Sequence, residues 1–85
     1  MNGKRYSVRY TELALKNLSE LPRREAAQII RKIARLEGGL RGNIKRLQGT
    51  DFGYRLRMGD YRVLFDVKGD IVFIQKIGHR KDVYD

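Results

Sequence analysis

"YRLRMGDYRVLFDVKGDIVFIQKIGH", residues 54–79, decides the fold. Apolar and polar residues alternate through it, and two Gly-Asp pairs, Gly59-Asp60 and Gly69-Asp70, interrupt the alternation. A period of two marks a half-buried strand, and a two-residue loop with glycine first is a hairpin turn. The stretch reads as three antiparallel strands at about 54–58, 61–68 and 71–78. Two-residue turns fix the register. Met58 should oppose Tyr61, Arg57 should oppose Arg62, and Arg62 should in turn meet Ile77. One face then collects Tyr54, Leu56, Met58, Tyr61, Val63, Phe65, Val67, Val72 and Ile74, with Lys76 as its one charge. That is the face expected to pack on helices. The other collects Arg55, Arg57, Arg62, Leu64, Asp66, Ile71, Phe73, Gln75 and Ile77.

The helices lie upstream. "RYSVRY" (5–10) alternates and predicts a first strand with Tyr6, Val8 and Tyr10 on one face. Thr11 can cap a helix carrying Leu13, Leu15, Leu18 and Leu21, and Pro22 ends it and suits the first turn of the next. Ala26, Ile29, Ile30, Ile33, Leu36 and Leu40 then recur at steps of three and four, with Arg24, Gln28, Arg31, Lys32 and Arg35 on the other side. Gly38-Gly39 ends this second helix. Residues 40–53, with turn signals at Gly42, Gly49 and Gly53, read as a loop. The order β-α-α-β-β-β predicts an α+β domain spanning residues 1–85, a helical hairpin on a mostly antiparallel sheet.

At 85 residues the chain suffices for one small domain. It has no cysteine and a single histidine, which excludes a disulfide framework and disfavours a zinc site. No metal or other cofactor is expected. Neither a membrane span nor a signal-peptide core is visible, and a cytoplasmic protein is the simplest reading. Nineteen Lys and Arg against ten Asp and Glu give a net charge of +9, which points to a polyanion or an acidic protein as partner.

The cations of the hairpin sharpen this. Like charges opposed across strands destabilise them by a few tenths of a kcal/mol or more, yet Arg57 and Arg62 are expected side by side, with Arg55 two residues along. The cluster is either a solvated face or a phosphate cradle, since guanidinium forks bind phosphate oxygens bidentately. In this register His79 emerges on the arginine side, with Arg80, Lys81 and Tyr84 close behind. Its reference pKa of about 6.5 suits proton transfer near neutrality; a lone histidine near a chain end can equally be idle. The basic helix side likewise reads as a solvated face or a binding surface.

The segments "YRLRMGDYRVLF" and "IQKIGHRKDVY", the basic helical hairpin and the element order resemble the RelE/ParE superfamily of toxins from toxin-antitoxin modules. The resemblance covers nearly the whole chain and implies a RelE-like sheet with helices on one face. For the RelE branch it implies a metal-independent endoribonuclease that cleaves mRNA in the ribosomal A site by 2′-OH attack on the adjacent phosphate, inhibiting translation. Arg55 and Arg57 match basic residues of the strand before the hairpin, Arg62 the arginine after the turn, Arg80 a C-terminal arginine and Tyr84 a late tyrosine. Their implied roles are phosphate binding, charge stabilisation, proton transfer and substrate orientation. The best-known RelE has lysines where this chain has Arg55 and Arg57. Arginine is a poor base because it stays protonated, so the base is placed at His79. Arg31, Arg35, Lys45, Arg46 and Lys81 are the candidate RNA-contacting cations. The resemblance also implies an acidic antitoxin, contact with ribosomal RNA and mRNA, and operator DNA bound only through the toxin-antitoxin complex. The alternatives are a ParE-like gyrase poison without nuclease chemistry and an RNA-binding module without toxicity. The element order and the lack of RNP-type aromatic motifs disfavour the last.

Overall fold

The computed structural model describes residues 4–83. In chain order it contains β1 (Ser7–Tyr10), α1 (Glu12–Ser19), α2 (Arg23–Ala34), a 3₁₀ turn (Arg35–Gly38), β2 (Ile44–Arg46), β3 (Tyr54–Met58), β4 (Tyr61–Lys68) and β5 (Ile71–His79). The strands form one sheet in the order β1-β5-β4-β3-β2. Only the β1–β5 pairing is parallel; the other three are antiparallel. This is the expected α+β fold, with both helices on one face of the sheet. No described helix is long and apolar enough to cross a membrane.

Local chemistry explains the elements. Thr11 sits in extended backbone and its Oγ1 accepts from Ala14 N–H at 3.1 Å, capping α1. Ala14 and Leu18 make the buried stripe of α1, whereas Leu13 and Leu15 are exposed, so the leucine spacing overstated the apolar face. Pro22 is the residue before α2 rather than its first turn. Ile29, Ile33 and Leu36 are buried from the second helical segment, and Ile30 is exposed. Both hairpin turns have positive φ at glycine alone, Gly59 at 55° and Gly69 at 63°, the sign pattern of a turn with glycine first. The predicted loop 40–53 needs one correction. Ile44–Arg46 form a short edge strand pairing Ile44 with Leu56, Lys45 with Arg55 and Arg46 with Tyr54. Three residues are too few to show a period.

The larger correction lies in β5. From Lys68↔Ile71 to Phe65↔Ile74 the register is the predicted one, but the next pair is Leu64↔Lys76, then Val63↔Ile77, Arg62↔Gly78 and Tyr61↔His79. Gln75 is an extra residue, a β-bulge. A strict period of two would have turned Lys76 into the apolar core and Ile77 out of it. With the bulge Ile77 is buried in the core cluster with Val63, Phe65, Val72 and Ile74, and Lys76 moves to the arginine face. On the other edge of β5, β1 pairs only as far as Ile74. There α1 takes over: Thr11 Oγ1 donates to Gln75 O at 3.1 Å, and Asn17 Oδ1 accepts from Ile77 N–H at 2.9 Å. These bonds pin the backbone on both sides of the bulge and blunt an edge that would otherwise expose unpaired groups.

Leaving a buried donor without its acceptor costs about 1–3 kcal/mol. Asn17→Ala is therefore expected to lower the unfolding free energy by about that amount, read from urea denaturation, while Ser19→Ala in the same helix changes it by less than about 0.5 kcal/mol.

Candidate functional site

The helix-free face of the sheet gathers cations in two rows. Across the strands run Lys45, Arg55, Leu64 and Lys76, and beside them Arg57, Arg62 and Gly78. Directly opposed residues have Cβ atoms roughly 4.5–5.5 Å apart. The acid these strands contribute to the face, Asp66, is engaged by uncharged donors: Gly53 N–H at 2.7 Å on Oδ1 and Gln75 Nε2 at 3.2 Å on Oδ2.

The three expected arginines are not equivalent. Arg57 is exposed. Arg55 is half-buried, and its Nε lies buried with no hydrogen-bond partner among the described residues. Such a group is rare in a folded protein. Arg62 corrects the picture of three open cations. It is only 8% exposed, and its Nη1 donates to Gly59 O and Tyr61 O, both at 2.8 Å. It braces the β3–β4 turn because those turn carbonyls lie within its reach.

The C-terminal residues fold back over this end of the face. Val83 is buried, and a Cβ placed on Gly78 would lie 3.5 Å from Val83 Cβ. Arg80 is exposed beside the turn, with Nε 3.8 Å from Asp60 Oδ1. Lys81 is exposed. Tyr84 lies outside the described residues. His79 is the second correction. The bulge carries it off the arginine side: it is registered with Tyr61, and the two rings meet edge to face at 5.9 Å. Tyr61 belongs to the helix side, lining with Ile29, Lys32 and Met58 a cavity of about 310 Å³ against α2.

The remaining predicted cations divide between the faces. Lys45 joins Arg55, but Arg46, one residue on, pairs with Tyr54 and belongs to the opposite side. Arg31 and Arg35 are exposed on the helical layer, and Arg35 lines a small basic cleft with Lys32 and Arg41. Sequence reasoning missed Lys76. The signal was present, as Lys76 on an apolar face beside Ile77 on a basic face, and one inserted residue resolves both.

The chain matches the family model for the ParE toxin of type II toxin-antitoxin systems over residues 8–84, and it belongs to that family. It is 39% identical over 46 residues to Toxin RelE3 of Methanocaldococcus jannaschii, a match covering 54% of this chain and about half, 52%, of that protein. It is 33% identical over 90 residues to Putative toxin RelE1 of the same organism, covering 94% of this chain and 96% of that one. A chain in the crystal structure of the toxin-antitoxin complex RelBE2 from Mycobacterium tuberculosis superposes with a TM-score of 0.77 at 29% identity, over 93% of this chain and 95% of that chain. The RelE-like character expected of the sheet and helices is thereby established.

The inequality of the arginines is measurable. Arg62→Ala removes the donor to Gly59 O and Tyr61 O and is expected to cost about 1–3 kcal/mol of stability, with Arg62→Lys recovering part of it, since both bonds come from one nitrogen. Arg57→Ala should stay within about 0.5 kcal/mol of the parent. Urea unfolding of the three variants checks this.

Proposed function

We propose that this protein is a ribosome-dependent endoribonuclease, the toxin of a type II module, which cleaves mRNA in the ribosomal A site and stops translation in the cytoplasm. The observation that carries the reading is the helix-free face, where four cations, Lys45, Arg55, Arg57 and Lys76, gather on adjoining strands. That is a site for one phosphate and its neighbours. In the reaction O2′ bonds to phosphorus, the P–O5′ bond breaks, and the products are a 2′,3′-cyclic phosphate and a 5′-hydroxyl. Arg55 and Arg57 hold the phosphate and stabilise the charge that grows on the phosphorane, usually the largest catalytic contribution. Arg80, at the edge of the face, serves the leaving side. Arginine does not release its proton. Lys45 and Lys76 are the amines of this face, groups that can exchange a proton where arginine does not. Arg62 contributes by holding the β3–β4 turn that follows Arg57. No metal is needed, and the ribosome supplies alignment of the attacking hydroxyl. Lys81 and the helix cations Arg31 and Arg35 contact RNA phosphates outside the reacting centre.

Relatives in solved structures occur as toxin-antitoxin complexes with RelB. An acidic antitoxin suits a chain of net charge +9 and is the proposed partner; operator DNA is bound through that complex. A ParE-like gyrase poison is the second reading, favoured by the family model that matches.

The test is purified protein added to ribosomes translating a defined mRNA, with 5′ ends mapped. The expected result is cleavage confined to translated codons, no cleavage of free mRNA, and losses of about 10²-fold for Arg55→Ala and Arg57→Ala, typical of removing a charge-stabilising donor. Intact mRNA together with stalled gyrase-DNA complexes would overturn the reading in favour of the second.

A further inference from the structure

Residues 79–83 make a single helical turn whose four leading amides are all satisfied. Arg80 N–H donates to Asp60 O at 2.7 Å, Lys81 N–H to His79 Nδ1 at 3.2 Å, and Asp82 and Val83 N–H both to His79 O at 2.9 Å. The first amides of any helical turn lack partners within it. Ordinarily the side chain of the preceding residue, most often Asn, Asp or Ser, accepts from the second or third of them. His79 does this with an imidazole nitrogen.

We propose that His79 is a positioning residue, the N-cap of the terminal turn, and not the proton acceptor of the reaction. The chemistry of the ring leads there. Nδ1 can accept from Lys81 N–H only through its lone pair, so the neutral ring carries its proton on Nε2. The one lone pair a neutral imidazole has is then spent on the backbone. A protonated ring would point a second N–H at the amide. Two further contacts hold the arrangement: the edge-to-face packing on Tyr61, and the seating of Val83 against Gly78. One isolated turn has no stability of its own, so the cap decides how often Arg80 and Lys81 stand at the edge of the cationic face. The link to activity rests on the ribonuclease reading; the capping itself does not.

The experiment has two arms. In the free protein, imidazole nitrogen and carbon NMR shifts at neutral pH should report the Nε2–H tautomer. Exchange protection of the Lys81 amide should be lost in His79→Ala and kept in His79→Asn, whose Oδ1 takes the place of Nδ1. In the ribosome assay His79→Asn should cleave within about threefold of the parent, while His79→Ala and His79→Gln fall by about tenfold, the population cost of a lost cap. An Nδ1–H tautomer would overturn the proposal. So would a drop of 10²-fold or more shared by Asn and Ala, the size expected for loss of a base. If the parent protein leaves mRNA intact, the ribonuclease reading fails, while tautomer and amide protection still decide the cap.

Discussion

Between Ile74 and Lys76 the β5 ladder takes in one residue more than its β4 partner, and the two faces of the sheet differ in character because of it. Without the insertion, Lys76 would face the helices and Ile77 the solvent. Burying the ammonium without a partner would cost several kcal/mol, and exposing the isoleucine would forfeit about 1.5–3 kcal/mol. Against this stands one interrupted step of the ladder, a loss of about 1 kcal/mol. The balance favours the bulge, and Thr11 and Asn17 hold it from the neighbouring helix. The bulge lies beside the site, as bulges that re-aim side chains often do.

The same insertion gives the site its division of labour. Lys76 arrives beside Leu64, in line with Arg55 and Lys45, so the cationic face spans four strands. Opposed like charges, Lys45 with Arg55 and Arg57 with Arg62, weaken the β2–β3 and β3–β4 pairs by a few tenths of a kcal/mol, which a core built on Ile29, Ile33, Phe65, Ile74 and Ile77 readily offsets. Arg62 is the exception among the cations. Buried and bound to turn carbonyls, it braces the turn that Asp60 O ties to Arg80 N–H. The arginine that looks most reactive in sequence is thus an anchor, and the open chemistry rests with its neighbours.

How far the sequence could be read follows from which signals are local. The two Gly-Asp turns and the alternation around them placed β3, β4, the first half of β5 and the Arg57–Arg62 pair, because turn length dictates register. Thr11, the isoleucine steps and the double glycine placed the helices. Gln75 carries no mark of a bulge by itself; the conflict shows only when burial is weighed on both faces at once. The displacement of His79 follows from the same shift. β2 is three residues long and borrows its order from β3. That Arg62 is buried and bonded to Gly59 O and Tyr61 O is a tertiary outcome with no counterpart in residue spacing. Arg46, expected with Lys45 among RNA contacts, was separated from it by nothing subtler than the pleat.

The central claim is that the bulged sheet face, rather than the basic helical layer, receives the phosphate of the substrate. The direct measurement is NMR of arginine Nε–H and lysine side-chain signals during titration with an oligoribonucleotide blocked at one 2′ position. The account predicts that the Arg55 Nε–H signal moves, with Arg57, Lys45 and Lys76 responding alongside. Shifts confined to Arg31, Arg35 and Arg41, with Arg55 unmoved, would contradict it.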